Sequence, residues 1–409
     1  MYNEINQCRI SGSKNLINVL SLGEQYLTGV FPKSKDEIIT KGPVDMVWCP
    51  DSGLLQLKQS YSLEEMYGEN YGYRSGLNAS MVQHLQNKVK MLVKWVDLKG
   101  GDVVVDIGSN DATTLRAYDK TIKRIGIDPT GEKFKEYYVD NIQLIPDFFT
   151  AKKFRENFPQ LDPKIITSIA MFYDLEDPGA FVMGIKEILH KDGIWHFEQS
   201  YMPSMLRTNS YDTICQEHIE YYSFGVIKDL LEKAGLRVLD VQMNSINGGS
   251  FAVTACKKEA SFRANKPIVD WLLYQEEKMG LQTPKPFRDF EERVFRHRDD
   301  LMRLINALRN DGKTIFGYGA STKGNVLLQF CNLGPDHIPF IAEVNEQKFG
   351  SFTPGSLIPI ISEAEAKQRK PDYFFVLPWH FKSSILQREK EFLAEGGKFI
   401  FPLPEIEIV

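Results

Sequence analysis

The chain has 409 residues, 43% apolar and 25% charged, with a formal net charge of −5. That length exceeds a single hydrophobic core and predicts two or three domains. The acidic balance argues against a nucleic-acid groove, which needs a basic surface. There is no run of 18 apolar residues, no signal-peptide pattern, and five scattered cysteines (8, 49, 215, 256 and 331) suggest no disulfide framework. The expectation is a cytoplasmic protein, monomer or homodimer, with no nucleic-acid or membrane partner.

Residues 1–65 read as a small strand-rich domain with turns at Gly12, Gly23 and Gly42-Pro43. Within it Cys8-Arg-Ile-Ser11-Gly12 and Cys49-Pro-Asp-Ser52-Gly53 are alike. Each would be half of a zinc knuckle if its serine were cysteine, because C-x-x-C-G turns converge two thiolates on one metal. Cys8 and Cys49 are only two of four ligands and serine hydroxyls are poor ones, so zinc is not expected. The expected state is a knuckle-like fold kept by hydrogen bonds and packing. An aromatic loop follows, Tyr67 to Tyr73 with Arg74-Ser75, entering a helix over about 78–98. Tyrosines joined by glycines suit a wall over a ligand.

The next domain, residues 66–258, centres on Asp102-Val-Val-Val-Asp-Ile-Gly-Ser-Asn-Asp111. A Val/Ile run ending in Gly-x-x-Asp predicts a buried strand feeding a tight turn, with a helix over about 112–118. In an open α/β sheet the ligand sits at the carboxyl end of such a strand. Gly108 would permit close approach and Asp106 would supply a fixed carboxylate. Asp128, at the tip of Ile125-Gly-Ile-Asp-Pro129, stands where a ribose diol is held. The turn lacks G-x-G-x-x-G, so no pyrophosphate site is evident. A nucleoside without phosphates fits better, S-adenosylmethionine being the common one. Candidate cofactor contacts are Asp106, Gly108, Ser109, Asn110, Asp111 and Asp128. Further strands over about 142–145, 164–171 and 194–199, with a helix over about 180–189, predict a doubly wound parallel sheet.

Residues 200–223 read as a long irregular stretch dense in polar and aromatic groups. Glu217-His218 within it is the best acid/base pair in the chain, since histidine titrates near neutrality and a carboxylate can orient it. A helix over about 224–234 and a hairpin-like pair (237–241, 250–256) around Asn247-Gly-Gly249 complete the domain. A charged helical linker, 259–310, precedes an α/β domain over 311–409. There Thr314-Ile-Phe-Gly-Tyr-Gly-Ala-Ser-Thr-Lys-Gly-Asn325 reads as strand, glycine turn and helix start, placing Lys323 for phosphate contact. Strands are expected over about 338–343 and 373–377. Two nucleotide-type domains joined by a helix suggest two nucleotide-like ligands facing one another.

The whole chain resembles the three-domain bacterial sugar C-methyltransferases that act on nucleotide-linked 4-keto-deoxysugars. The likeness rests on the knuckle followed by Leu-Gly-Glu (22–24), Tyr-x-Tyr-x-Ser (71–75), Val-Asp-Ile-Gly-Ser-Asn-Asp (105–111) and Gly-Ile-Asp-Pro (126–129). It continues with Glu-His-x-x-Tyr-Tyr-Ser (217–223), Gly-Gly-Ser (248–250), Tyr-Gly-Ala-x-x-Lys-Gly-Asn (318–325), Pro-Gly-x-x-Ile-Pro (354–359) and Leu-Pro-Trp (377–379). The resemblance implies a class I methyltransferase fold flanked by a knuckle-like and a Rossmann-like domain. It also implies S-adenosylmethionine with Tyr71 beside it, and a nucleotide sugar between the last two domains. His218 would remove the proton alpha to the ketone, Glu217 would orient it, and Tyr73 would support the enolate oxygen. Cys215, Tyr222, Asn247, Tyr318, Lys323 and Asn325 would line the sugar-nucleotide site. Three features depart from the pattern: the two knuckle serines, Cys215 where a tyrosine is typical, and the pair Tyr173-Asp174 where Ala-His is usual, making Asp174 a further catalytic candidate. The rival readings are an O-methyltransferase on a related metabolite and a non-catalytic nucleotide-sugar binder.

Overall fold

The computed structural model describes residues 2–62, 65–66 and 74–409. Its central sheet has seven strands in the spatial order Leu236–Asn244, Ser250–Lys257, Ile194–Ser200, Ile165–Ile169, Val103–Ile107, Lys123–Ile127 and Gln143–Ile145. All neighbours run parallel except Ser250–Lys257, which is antiparallel to the strands on both sides. The apolar runs explain these strands: every residue of Val103–Ile107 is buried, as a sheet covered on both faces requires. Trp195, Phe197, Phe172 and Tyr222 pack one face, while Val89 and Leu92 of helix Ala79–Trp95 meet Val104 and Ile194 on the other. Asn78 caps that helix by accepting from the Ser80 and Met81 amides. Chain crossovers leave the Val103–Ile107 strand on opposite sides, so a crevice opens at its carboxyl end.

The last domain repeats this logic in a six-stranded sheet, ordered Ile360–Ser362, Ile341–Glu343, Ile315–Tyr318, Tyr373–Val376, Lys398–Phe401 and Glu407–Ile408. Its switch point falls at Ile315–Tyr318, just before Gly319 and helix Thr322–Phe330. Between the sheets run helices Lys266–Met279 and Lys285–Asn310, separated at Gly280 (φ 71°). The second buries Phe287, Phe290, Val294, His297, Leu301 and Ile305, the three-to-four spacing of one helical face.

The N-terminal sheet takes its fourth strand from the middle domain. Its order is Glu220–Tyr221, Leu55–Leu57, Lys41–Trp48 and Ile17–Tyr26, all antiparallel. Leu57 N donates to Ile219 O at 2.8 Å, and Ile219 N to Tyr173 O at 3.0 Å. The stretch 200–223, expected to be irregular, therefore contains this strand and a helix, Met202–Thr208. A helix expected over 112–118 is instead a single 3₁₀ turn, Leu115–Ala117, because Ala112 sits at φ 58°, outside the helical region. One core joins Trp48 and Leu55 of the N-terminal sheet, Met205 and Ile214 of the stretch, Phe287 and Phe290 of the long helix, and Val326 of the last domain.

Candidate active site

At the end of Val103–Ile107, Gly108 turns the chain at φ 76°, and a Cβ there would press on Met171 at 3.0 Å. Asn110 (φ 48°), Ala112 (φ 58°) and Ala170 (φ 54°) add left-handed non-glycine residues at the carboxyl ends of adjacent strands, a strain that clusters at functional sites. Asp128 is buried and anchors the turn: Oδ2 accepts from Asn110 N at 2.8 Å, Oδ1 from Thr130 N at 2.7 Å. Asp111 accepts from Gly76 N at 3.0 Å and Asn110 Oδ1 from Ser75 N at 3.0 Å, so residues 74–76 dock on the turn. Ser109 and Asn110 O both meet the Tyr138 hydroxyl at 2.8 Å. Asp106 is turned into the protein, where Thr167 Oγ1 donates to it at 2.5 Å. Burial lifts its carboxyl to about 7 despite hydrogen bonds from Thr167 and Thr114. Tyr71 and Tyr73 lie outside the described residues.

Further along the crevice, Glu198 is buried in a charged cluster that sequence reasoning missed. Its oxygens meet His84 Nε2 at 2.6 Å, Lys88 Nζ at 2.7 Å and Asn244 Nδ2 at 2.6 Å. Burial alone would raise its carboxyl, but the His84 hydrogen bond and the Lys88 charge hold it down at about 2. No local pattern signals it, since its strand Ile194–Ser200 also carries His196, Gln199 and Ser200.

The second group of residues lies where the three domains meet. His218 Nδ1 is 2.8 Å from the Thr213 carbonyl oxygen. A carbonyl only accepts, so Nδ1 carries the hydrogen and Nε2 keeps its lone pair. Tyr173 packs its ring edge-on to His218 at 4.5 Å, and Asp174 belongs to the same turn, Phe172–Asp174. Cys215 Sγ, a Glu217 carboxylate oxygen and a His218 ring nitrogen lie within 4.8 Å of one another. Burial, with Glu217 nearby, pushes the Cys215 thiol up to about 12, and burial also raises the Glu217 carboxyl. A small cavity beside them is lined by Tyr173, Ser200, Thr213, His218 and Tyr221 among others.

Lys323 enters from the last domain, half-buried, at the first turn of the helix capped by Ser321. Burial lowers its pKa, while Asp212 and Cys215 pull the other way. Asp212 accepts from Trp379 Nε1 at 2.7 Å, and the Trp379 ring lies against Gly248 of the hairpin turn, 3.5 Å from where a Cβ would sit. His380, next to Trp379, is depressed to about 3 by burial and by Lys323. Asp212, Trp379 and His380 were given no role from the sequence, although Leu-Pro-Trp marked the place. Asn325 is buried and donates to Thr28 O at 2.8 Å. Asn247 belongs to the turn Ile246–Gly248.

Two expected substrate contacts face elsewhere. Tyr222 is fully buried against Phe172, its hydroxyl on Glu220 at 2.5 Å. Its neighbours Glu220 and Tyr221 border the cavity instead. Tyr318 is likewise buried, bonded to Glu389 at 2.8 Å and packed on Phe374.

In the knuckle, Cys8 Sγ lies 3.2 Å from Ser52 Oγ, and Ser11 Oγ lies 3.7 Å from Cys49 Sγ. Gly12 (φ 67°) and Gly53 (φ 75°) close matching turns by donating to Cys8 O at 2.9 Å and Cys49 O at 2.8 Å. Two thiols and two neutral hydroxyls are not the donor set of a structural zinc site, which takes thiolates and imidazoles.

Family models match along the chain in this order: "Putative zinc binding domain" over residues 8–67, "Methyltransferase domain" over 80–241 and "C-methyltransferase C-terminal domain" over 245–404. C-methyltransferase NovU of Streptomyces niveus is 32% identical over 99% of this chain and 97% of its own. The chain belongs to the C-methyltransferase family. Among solved structures, an S-adenosylmethionine-dependent methyltransferase from Clostridium acetobutylicum is 10% identical with a TM-score of 0.34, covering 43% of this chain and 92% of that one. Magnesium protoporphyrin IX methyltransferase from Synechocystis, solved with S-adenosylmethionine bound, is 13% identical with a TM-score of 0.31, covering 44% and 81%. By its family and its methyltransferase domain, the C-methyltransferase described here is an S-adenosylmethionine-dependent enzyme. The Gly108 turn at the sheet's switch point fits such a nucleoside, because its positive φ makes the sharp turn at the strand's carboxyl end that glycine adopts without strain. No helix among the described residues is long and apolar enough to cross a membrane.

Proposed function

We propose that this enzyme methylates a carbon next to the 4-keto group of a nucleotide-linked deoxysugar. The observation that carries the reading is the Nδ1–H bond from His218 to the Thr213 carbonyl, which leaves Nε2 as a base beside the cavity. The C3 proton of a sugar becomes removable by an imidazole only when a neighbouring ketone can take the charge as an enolate. His218 takes that proton, Glu217 steadies the resulting imidazolium, and Asp174 follows Tyr173, which lines the pocket. Lys323, at a helix N-terminus across the junction, meets the phosphates of the acceptor with the field of the helix behind it. Gly108 and the Asp128 turn hold the cofactor, Asp128 taking the ribose hydroxyls. S-adenosylmethionine supplies the electrophilic methyl group when bound. Holding donor and acceptor in line contributes much of the rate. The knuckle works in this reading without zinc, its paired S–H and O–H hydrogen bonds standing where the ion would.

The test is to incubate the enzyme with S-adenosylmethionine and nucleoside-diphosphate-linked 4-keto-6-deoxyhexoses. A product one methyl heavier, with a C-methyl and no methoxy signal by NMR, supports the reading. A methoxy product would show O-methylation, and binding of both ligands without turnover would show a non-catalytic binder.

A further inference from the structure

Besides the pairing of Leu55–Leu57 with Glu220–Tyr221, the N-terminal domain reaches the reaction centre through a second short segment. Residues 25–29 leave strand Ile17–Tyr26 and pass between Glu217 and the Lys323 helix. Both sides grip the backbone. Gln216, next to Glu217, donates its amide to Gln25 O at 3.1 Å and Tyr26 O at 3.3 Å. From the opposite side, Gln329 Oε1 accepts from Tyr26 N at 2.7 Å and Asn325 donates to Thr28 O at 2.8 Å. Gln25, Thr28, Gln216 and Asn325 are all buried, so the segment is fixed rather than draped. At its end Gly29 presents a bare Cα to the Glu217 carboxylate. A Cβ there would collide with Oε1 of Glu217 and sit 3.4 Å from its Cδ.

We infer that Gly29 is a positioning residue: its missing side chain makes the seat that holds the Glu217 carboxylate toward His218 and Cys215, so the knuckle domain forms a third wall of the site. Glycine is needed here for clearance, since a Cβ has no room unless the carboxylate moves. The carboxylate lies within 4.8 Å of the His218 ring nitrogen, so a displacement of a few ångströms changes their interaction. Asp174, Asp212 and Lys323, the other charged groups near the pair, are left unsubstituted in every variant compared.

The inference rests on Glu217 and His218 as the reacting pair, but its test needs no acceptor. With ring-labelled histidine, the His218 signal among the seven histidines is assigned by its loss in His218→Gln, and its titration is followed by NMR. Gly29→Ala and Glu217→Gln should each lower the midpoint by about 0.5 pH units or more, because each removes a nearby negative charge from the imidazolium. The double variant should titrate within about 0.1 of Glu217→Gln, since Gly29 acts only through that carboxylate. An unmoved midpoint in Gly29→Ala, or a full further shift in the double variant, overturns the inference. Should Gly29→Ala fail to fold, Gly29→Ala/Glu217→Asp must fold, its carboxylate ending one methylene short of the new Cβ. Failure of that variant too would place the clash elsewhere and overturn the inference. Full turnover by His218→Ala would instead sink the functional reading and leave this coupling standing.

Discussion

Replacing Glu198 by glutamine tests whether the buried charge cluster beside the cofactor crevice holds the methyltransferase domain together. The side chain keeps its volume and loses its charge, while Lys88, itself buried, loses its counter-ion. A carboxyl depressed from 4.5 to about 2 corresponds to about 3 kcal/mol of folding free energy at neutral pH. That agrees with the roughly 3–5 kcal/mol lost when one partner of a buried pair is removed. The sign follows from the depression: the contribution is complete above the unfolded value of 4.5 and disappears as pH falls toward about 2. Urea unfolding at pH 7 should therefore show Glu198→Gln about 3 kcal/mol less stable than wild type. The gap should stay level from pH 8 to about 5 and narrow below 4.5. Adding Lys88→Met should recover about half of it, since the stranded ammonium goes too. A gap below about 1 kcal/mol at pH 7, or one that widens in acid, would refute the reasoning.

His218→Ala should lower turnover by about two to four orders of magnitude with cofactor affinity intact in calorimetry, as for loss of a general base. Asp128→Ala should weaken S-adenosylmethionine binding by about 1–3 kcal/mol, measured the same way, because the turn anchored at Asn110 N is left unpaired. Lys323→Ala should raise the acceptor KM more than it lowers kcat in steady-state assays; the reverse pattern argues against phosphate contact. Ser11→Cys/Ser52→Cys should gain one zinc per chain by elemental analysis, since the present 3.2 and 3.7 Å spacings approach the about 3.8 Å between sulfurs around a tetrahedral ion. Wild type should purify without it; stoichiometric zinc in wild type would defeat the proposal of a metal-free knuckle.

The strand and turn proposed to hold the cofactor were legible because their signals are local. An apolar run ending in Gly108, and an acid about twenty residues later, define a strand–turn–strand unit without help from elsewhere. The proposed acceptor side depends on contacts between distant segments. Glu220–Tyr221 is a two-residue strand whose partner, Leu55–Leu57, lies far upstream, so no periodicity could announce it. Tyr221 and Tyr222 look equivalent in sequence, and only the pairing decides which meets the cavity. Asp212 and Trp379 join across 167 positions. Gly29 looks like any loop glycine until Glu217 is seen lying against it. The short strands Ile360–Ser362, Lys398–Phe401 and Glu407–Ile408 also went unanticipated, being too brief to show alternation.

The strand that Glu220–Tyr221 lends to the N-terminal sheet bears on how the chain matures on the ribosome. Residues 1–62 emerge first, yet the edge beside Leu55–Leu57 stays unpaired until some 160 further residues have been made. An open apolar edge invites pairing with another chain. A fragment ending before residue 220 should therefore aggregate, whereas one reaching past 221 can close its own sheet.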